Sequence, residues 1–460
     1  MNNEQDLSLR QKLFYGIGEI ANTIGGTIIG FLYVFYLTNV MGMSAWLAGF
    51  VYFLGAVWDA VTDPVAGYLS DITRSKFGRR RVYFLTTALP FAVLFFAIWA
   101  VPKGWSEGAM FAYSVVMYLL YRTASTLFIV PYNTYGMEII KSYDGRTSLQ
   151  SYRYFFSILF GLVAAALPEI ITTLPLDPSV PEGMPTSLGY ILMAACFAVP
   201  ILISPLFTFA ACKEAPYNND PKSNFIAKIK ATFKNRHFLK ALGMYICSWV
   251  TIGTVQALLL YYLGVLGRSD DFAIVAAIIM GTATISLPAW VWISKKLDKR
   301  KALMLGFIIS GCALALLMLP PAFVNAVIWV LLPIIGFGIS SMHMIPSALL
   351  PEAIEAGDGR DDERPSDGVY FGVVTFSEKI GTACIIQIAM LALQLCGFIS
   401  TQEGQVVTQP QMRSTASASS WVCSLSSSSW SGSASLIASP SGERTRRLYG
   451  TWKTKRTDFP

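Results

Sequence analysis

Charged residues are scarce in this chain: Asp, Glu, Lys and Arg make up 14% of its 460 residues, whereas 54% are hydrophobic. A soluble domain ordinarily carries about 25% charged residues, so this mixture excludes an ordinary water-facing surface at this length. The apolar residues come in long blocks, and about 20 such residues are enough to cross a bilayer as a helix. The composition therefore predicts an all-α membrane protein whose surface faces lipid.

Residues for metal and enzyme chemistry are also lacking. The two histidines, His237 and His343, are far apart, and no GxxxxGK[ST], HExxH or GxSxG motif occurs. We therefore expect no cofactor, no enzymatic activity and no pump driven directly by ATP. The first dozen residues, MNNEQDLSLRQK, are polar, so no cleavable signal peptide is expected. Six cysteines without metal-type spacing are expected to pack between helices: Cys196, Cys212, Cys247, Cys312, Cys384 and Cys396.

The net charge of +7 does not indicate a nucleic-acid partner, because the basic residues are concentrated in loops. Loops that are nearly free of Lys and Arg alternate with loops that are rich in them. By the positive-inside rule, we expect the basic loops and the amino terminus on the cytoplasmic side of the cell (inner) membrane. The basic loops are 71–82, 139–147, 213–238 and 295–301, and the others are 102–107, 177–186, 266–270 and 320–322.

Eleven apolar blocks are expected to form helices, and we number them segments 1 to 11. The turn after segment 2, PVAGYLSDITRSKFGRRRVYFL, resembles the turn after segment 8, PAWVWISKKLDKRKALMLG, and the turns after segments 4 and 10 also match. Such a repeat is typical of a secondary transporter with two helical bundles. The segments cover about 12–40, 44–70, 83–101, 108–134, 148–175, 187–212, 239–266, 271–295, 302–319, 323–349 and 367–399.

The repeat predicts four regions along the chain. An amino-terminal transmembrane bundle of six helices covers 1–212, and a cytoplasmic central loop follows at 213–238. A carboxy-terminal bundle, segments 7 to 11, covers 239–399, and a Ser-rich tail covers 400–460. The repeat calls for a twelfth helix, but the tail offers no apolar block long enough to span a membrane.

The Ser-rich composition of the tail indicates its origin without any comparison with a related protein. Leu- and Val-rich coding sequence with C-rich codons, read one base out of frame, yields serine runs with arginine and scattered tryptophan. We therefore expect the reading from about residue 410 to be frameshifted; the alternative is a genuine disordered extension, which its low hydrophobicity permits. The nucleotide sequence decides between them. If neither other frame encodes about 20 apolar residues followed by a short polar end, the frameshift is refuted.

Segment 2 carries two acids, Asp59 and Asp63, within LGAVWDAVTDPVAG. Their i,i+4 spacing places both carboxylates on one helix face. An ionised carboxylate at membrane depth is costly unless it faces a polar cavity or has a partner. A Na⁺ ion would suit the carboxylate oxygens, and a proton would also serve; no other metal is expected. The alternative is a structural ion pair with Arg122, Arg153 or Lys379.

Other ionisable residues also lie inside apolar segments, where such groups are functional candidates by default. Arg122 lies deep in segment 4, within YLLYRTASTLF. It could pair with a carboxylate of segment 1 or 2, or bind an anionic group of a substrate. The remaining candidates are Glu19 and Asn22 in segment 1, Arg153 in segment 5, and Glu378 and Lys379 in segment 11.

Asp63-Pro64 begins the motif DPVAGYLSDxxxxxxGRRR, which we interpret as a cytoplasmic latch. Asp71 can pair with the arginines or with a helix terminus of the neighbouring bundle, and such contacts stabilise one state of an alternating-access cycle. The alternative is that these charges only anchor the topology. The expected latch residues are Asp71, Arg79, Arg80, Arg81, Asp144 and Arg146.

Four stretches of the chain together carry a family resemblance: KLFYGIGEIANTIGGTIIGFLYVFYLTNVMGMS, WDAVTDPVAGYLSDITRSKFGRRR, PYNTYGMEIIKSYDGRTSLQSYR and DGVYFGVVTFSEKIG. They resemble the glycoside–pentoside–hexuronide:cation symporters of the major facilitator superfamily, in particular melibiose-permease-like members, over about residues 10–399. The resemblance implies two six-helix bundles and symport of a sugar with Na⁺ or H⁺ by alternating access. It also implies a cation site at Asp59 and Asp63, contributions from Lys379 and Arg153, and a monomer.

The departures from that family concern the substrate. Thr23 and Ile129 stand where melibiose-type members carry sugar-binding aspartates, and Asn133 replaces a sugar-stacking tryptophan. A glycoside, pentoside or uronide is the first expectation. The alternatives are an uncoupled facilitator or carrier of a sulfated sugar or lysolipid-like substrate, or a transport-dead member that lacks its last helix. The expected cavity residues are Thr23, Arg122, Tyr132, Asn133, Arg153 and Lys379.

Overall fold

The computed structural model describes residues 7–139, 143–181, 183–211, 232–317, 319–355, 367–395 and 397–403. Apart from one isolated β-bridge, the regular structure in these ranges is helical. The helices are α1 Leu9–Ile17, α2 Glu19–Ile28, π-helical turns Ile29–Tyr33 and Tyr36–Val40, α3 Ala45–Ile72, α4 Arg81–Ala97, α5 Glu107–Glu138, α6 Tyr143–Thr172, α7 Ser187–Ala211, α8 Arg236–Val265, α9 Phe272–Ile285, α10 Leu287–Leu297, α11 Lys299–Leu316, α12 Pro321–Glu355 and α13 Asp367–Leu395.

The prediction of an all-α membrane protein is confirmed. Within the described ranges, seven helices are long and apolar enough to cross a membrane, and the bent pair Ser269–Ile285 and Leu287–Leu297 makes an eighth span. A shorter apolar helix covers Arg81–Ala97. Each of the eleven predicted segments is helical over most of its described part, and the helices end a few residues early in segments 3, 5, 9 and 11. Residues 404–460 of the predicted tail and 213–231 of the predicted central loop lie outside the described residues, and α8 already begins at Arg236, within the predicted loop.

Two segments that were predicted as single helices are interrupted. Segment 8 bends by 46° between α9 and α10, where Pro288 cannot donate the backbone hydrogen bond that would continue the helix. Segment 1 breaks at Gly18, between α1 and α2. A Cβ atom at Gly18 would lie 2.2 Å from Thr208 Oγ1 and 2.7 Å from the Tyr132 ring, so only glycine allows this close approach.

Each end of the helix bundle has a loop with a glycine of positive φ, Gly42 at one end and Gly78 at the other. The Gly42 end lies between segment 1 and α3, and the Gly78 end lies between α3 and α4. Both glycines have positive φ, +76° and +108°, which favours glycine in these turns. Contacts between loops and helix ends show that the helices alternate between these ends, because Ser44 N bonds Glu107 at one end and Arg81 bonds Phe209 O at the other.

We call α1–α7 the amino-terminal half and α8–α13 the carboxy-terminal half. The halves meet where α3 packs on α13, α6 on α9, and the π-helical turn Ile29–Tyr33 on α8. Near the Gly42 end, the hydroxyls of Thr38 and Tyr261 lie 2.6 Å apart. Trp46 N donates to Gln394 Oε1 at 2.8 Å. These contacts close the interface between the halves at the Gly42 end.

The chain after α13 returns to the same end. Thr401 N donates to Thr38 O, and Glu403 N donates to Val40 O, each at 3.1 Å. Lys103 Nζ lies 2.7 Å from Glu403 Oε2. Residues 401–403, which the sequence had assigned to the tail, therefore bind the end of segment 1.

Candidate functional site

A cluster of four charged side chains lies where the two halves meet. Asp59 and Asp63 come from α3, Arg122 from α5 and Lys379 from α13. Lys379 Nζ lies 2.6 Å from Asp63 Oδ2 and 3.1 Å from Asp59 Oδ2, so one ammonium group bridges both carboxylates. Arg122 Nη2 donates to Asp59 Oδ2. Two negative and two positive charges thus balance within one cluster.

The register of α3 and α5 explains the amino-terminal part of this cluster. The helices run in the same direction, so Arg122 bonds Asp59 and, four residues on, Thr126 Oγ1 donates to Asp63 Oδ1 at 3.0 Å. Close packing fixes this register, because a Cβ atom at Gly55 would lie 2.2 Å from the Tyr118 ring. The i,i+4 spacing of Asp59 and Asp63 on α3 is therefore matched by the i,i+4 spacing of their partners, Arg122 and Thr126, on α5.

Asp59 is the buried member of the pair, with 1% of its surface exposed, whereas the side chain of Asp63 is 24% exposed. Arg122 and Lys379 both contact Asp59 Oδ2. Asp59 Oδ1 is buried and has no hydrogen-bond partner among the described residues. An unpartnered buried oxygen on the helix face that also carries Asp63 fits a small hard cation, since such cations prefer oxygen ligands.

A second charged cluster lies entirely in the amino-terminal half. Arg153 Nε of α6 donates to Glu19 Oε2 of α2, and Asn22 Nδ2 donates to Glu19 Oε1 at 2.7 Å. The Arg153 guanidinium lies 5.0 Å from the centroid of the Tyr132 ring, a cation–π contact. Arg153, one of the three basic residues considered as partners for Asp59 and Asp63, therefore pairs with Glu19 instead.

Tyr132 is packed inside the amino-terminal half in this structure, and its place in a substrate cavity stays a prediction. Its side chain is completely buried, stacked on Tyr15 at 4.7 Å and on Phe128 at 5.5 Å. The Tyr15 and Tyr132 hydroxyls each donate to the other residue's carbonyl, at 3.4 and 3.0 Å. The buried pair of Tyr15 and Tyr132 rings packs against Arg153 and leaves no ring face exposed to a substrate in this structure.

The other predicted cavity residues are hydrogen-bonding groups. Thr23 Oγ1 lies 3.0 Å from Ser157 Oγ, between α2 and α6. Asn133 Oδ1 is buried without a partner among the described residues. Arg122 is held by Asp59, which favours the carboxylate-pair alternative over direct substrate binding.

The latch residues that are described bind one another and α7. Arg80 Nη2 donates to Asp71 Oδ1 at 2.8 Å, and Arg79 Nη1 lies 3.8 Å from the same oxygen. Arg81 donates to Phe209 O at 3.0 and 2.6 Å and lies over the Phe209 ring. These contacts join α3, α4 and α7 within the amino-terminal half. The latch to the other half stays a prediction, and the side chains of Asp144 and Arg146 lie outside the described part.

Sequence reasoning missed a polar–aromatic group in the carboxy-terminal half. The Tyr245 hydroxyl of α8 donates to Glu378 Oε2 of α13 at 2.9 Å. Trp249 of α8 packs edge-to-face on His343 of α12, with ring centroids 5.1 Å apart. Glu378 was identified as an ionisable residue, but its partner could not be chosen from the sequence because the apolar helices carry no period that orients them.

Comparison with known proteins points to transporters. A family model described as MFS/sugar transport protein matches residues 14–424. An uncharacterized symporter of Synechocystis, sll1374, is 26% identical, with 88% of each chain covered. The sodium-dependent lysophosphatidylcholine symporter 1-B of Danio rerio is 26% identical, covering 87% of this chain and 82% of its own.

A solved structure, the nucleoside transporter NupG, has a TM-score of 0.65 at 11% identity and covers 94% of this chain and 99% of its own. At this identity the likeness shows the fold alone. The narrower resemblance to melibiose-permease-like symporters is not tested by these matches and stays a prediction.

Proposed function

Because the chain belongs to the MFS/sugar transport protein family of the major facilitator superfamily, we propose that it is a Na⁺-coupled symporter of a small organic substrate. Asp59 and Asp63 bind the cation, and alternating access moves the cation and the substrate together. Relatives that are named as symporters support coupled transport, and the Danio rerio relative supports sodium. A proton is the alternative coupling ion.

The observation that carries this proposal is the Lys379 bridge. A single ammonium group from one half contacts two carboxylates from the other half, at 3.1 and 2.6 Å. A Na⁺ ion held by Asp59 Oδ1, Asp63 and Thr126 would supply the same positive charge and release Lys379. Cation binding would then loosen the contact between α3 and α13, which links ion occupancy to movement of the halves.

The substrate side of the proposal rests on polar groups of α2 and α6. Thr23, Ser157 and Asn22 supply hydroxyl and amide groups, and the side chain of Arg153 stays 19% exposed beside Glu19. Such groups suit a hydroxylated substrate, so a glycoside, pentoside or uronide is the first candidate, in keeping with the sugar-transport family. A lysolipid-like substrate is the second, because the Danio rerio relative is named for lysophosphatidylcholine.

The proposal includes an orientation and a division into regions. The basic loop Arg74–Arg81 lies at the Gly78 end, so that end faces the cytoplasm of the cell (inner) membrane by the positive-inside rule. The structure is then closed toward the outside. The proposed regions are an amino-terminal bundle at 1–212, a cytoplasmic loop at 213–238 and a carboxy-terminal bundle at 239–399. A monomer is sufficient for this transport cycle.

Uptake into proteoliposomes tests this function. Labelled neutral glycosides, uronides and lysophosphatidylcholine are offered separately, each under an inward Na⁺ gradient, an inward proton gradient or no gradient. We expect one substrate class to accumulate above its external concentration only with the Na⁺ gradient. Accumulation with the proton gradient alone would replace Na⁺ by H⁺. Equilibration of a substrate at the same rate in all three conditions would contradict symport and favour the facilitator alternative.

A further inference from the structure

A carboxylate outside the proposed cation site joins the two halves at the Gly42 end. Glu169, near the end of α6, is 9% exposed. Its Oε2 atom accepts a hydrogen bond from the backbone N–H of Ala273, in the first turn of α9. Since α6 belongs to the amino-terminal half and α9 to the carboxy-terminal half, this bond crosses the interface that must open in the other state of the cycle.

The start of α9 is a favourable partner for a negative charge. The first N–H groups of a helix have no partner within the helix, and the helix dipole places partial positive charge there. A carboxylate that accepts such a bond forms a charge-assisted interaction, which is stronger than a neutral one. Glu169 therefore acts as an α9 cap supplied by the opposite half.

The surroundings of Glu169 make this contact sensitive to its charge. Asp270 and Asp271, just before α9, repel the carboxylate electrostatically. Arg268 Nε offsets part of this repulsion by donating to Asp271 Oδ2 at 2.6 Å. Tyr190 of α7, in the amino-terminal half, is near enough to Glu169 to interact with it electrostatically. The bond from the Ala273 N–H offsets part of the cost of placing a third, buried acid beside Asp270 and Asp271.

The other contacts described at the Gly42 end include one ion pair, Lys103 with Glu403 at 2.7 Å, and neutral hydrogen bonds between the halves. Thr38 and Tyr261 share a hydroxyl contact, and Trp46 N bonds the amide of Gln394. In alternating access the halves rock about a central site, so contacts at the Gly42 end are made in one state and lost in the other. A contact made in only one state shifts the balance toward that state.

We propose that Glu169 is a positioning residue of the transport cycle, whose carboxyl oxygen caps α9 and holds the Gly42 end closed. The cap must break before that end opens. This inference goes beyond the proposed symport, since it depends on alternating access alone and not on the coupling ion or the substrate. Its failure would leave the cation site at Asp59 and Asp63 untouched.

Distances between spin labels at the Gly42 end test the proposal. Cysteines are placed at Pro178 and Asn325, which are exposed and lie in opposite halves, in a variant whose seven native cysteines are replaced. We expect Glu169→Ala to raise the population with the longer distance on the order of tenfold relative to the closed one. Glu169→Gln, which keeps an uncharged acceptor of the same size, is expected to raise it less.

Two further variants separate the cap from general destabilisation. Glu107 accepts a bond from Ser44 N at 2.8 Å at the same end but within one half, so Glu107→Gln should leave the distances unchanged. Ala273→Pro removes the donor, and proline is tolerated in the first turn of a helix. Ala273→Pro should raise the population with the longer distance as Glu169→Ala does. The double variant should raise it no further than either single variant, because both changes remove the same bond. Unchanged distances in both Glu169→Gln and Ala273→Pro would overturn the proposal.

Discussion

Replacing Asp63 with asparagine is expected to abolish uphill uptake while exchange of substrate across the membrane persists. The amide oxygen of the new side chain would still accept the bond from Thr126, and Lys379 would keep its contact with Asp59, so the fold should survive the change. Na⁺ would lose a charged ligand, so the gradient could no longer drive transport. Substrate should then enter proteoliposomes only until its inside and outside concentrations are equal.

The control for this variant lies on the same helix. Asp71→Asn removes an acid at the Gly78 end of α3, where Arg80 and Arg79 are its partners, and it should not remove coupling. Asp59→Asn is a poorer test, because it also leaves the guanidinium of Arg122 without its carboxylate. Uphill accumulation by Asp63→Asn with the Na⁺ dependence of the parent would contradict the assignment of the cation site.

Replacing Arg122 with glutamine is expected to destabilise the protein strongly, whatever the substrate. The change leaves Asp59, which is 1% exposed, with Lys379 as its remaining cation. Breaking a buried ion pair from one side costs up to about 3–5 kcal/mol when the remaining charge is uncompensated, and Lys379 offsets part of this cost. Thermal unfolding in detergent should show a large fall in Tm, and uptake of uronides and of neutral glycosides should fall together.

A second variant tests whether the ion pair is the cause. The double variant Arg122→Gln with Asp59→Asn removes both charges of the buried ion pair, and Lys379 keeps its contact with Asp63 at 2.6 Å. We expect the double variant to unfold at a higher temperature than Arg122→Gln alone, since the two changes share one interaction. Loss of uronide uptake in Arg122→Gln with normal stability and normal uptake of neutral glycosides would instead assign Arg122 to an acidic substrate.

The sequence predicted which residues could matter better than it predicted their partners. Asp59 and Asp63 stand out because charge is rare in these helices and their spacing places them on one face. Three long cations were equally eligible as partners. The register between α3 and α5 assigned Arg122 to Asp59, and the packing of α2 on α6 assigned Arg153 to Glu19. That register depends on close contacts such as Gly55 with Tyr118, which no single-chain pattern reveals.

Burial was the property hardest to predict. In a membrane helix both the lipid face and the packed face are apolar, so no period separates them. Tyr132 was therefore predicted to line the cavity, and in this structure its side chain is fully buried. Glu169 was overlooked for a related reason: it stands at the end of an apolar block, in ALPEIITTL, where an acid usually faces water. Only the position of α9 shows that it has a buried partner.

Thermal stability in the presence of Na⁺ tests the central assignment most directly. A ligand that binds the folded protein raises its stability according to its concentration relative to Kd. We therefore expect NaCl, compared with choline chloride at equal ionic strength, to raise the Tm of the parent and of Asp71→Asn but not of Asp63→Asn. An equal rise in Asp63→Asn, or no rise in the parent, would contradict a Na⁺ site at Asp59 and Asp63.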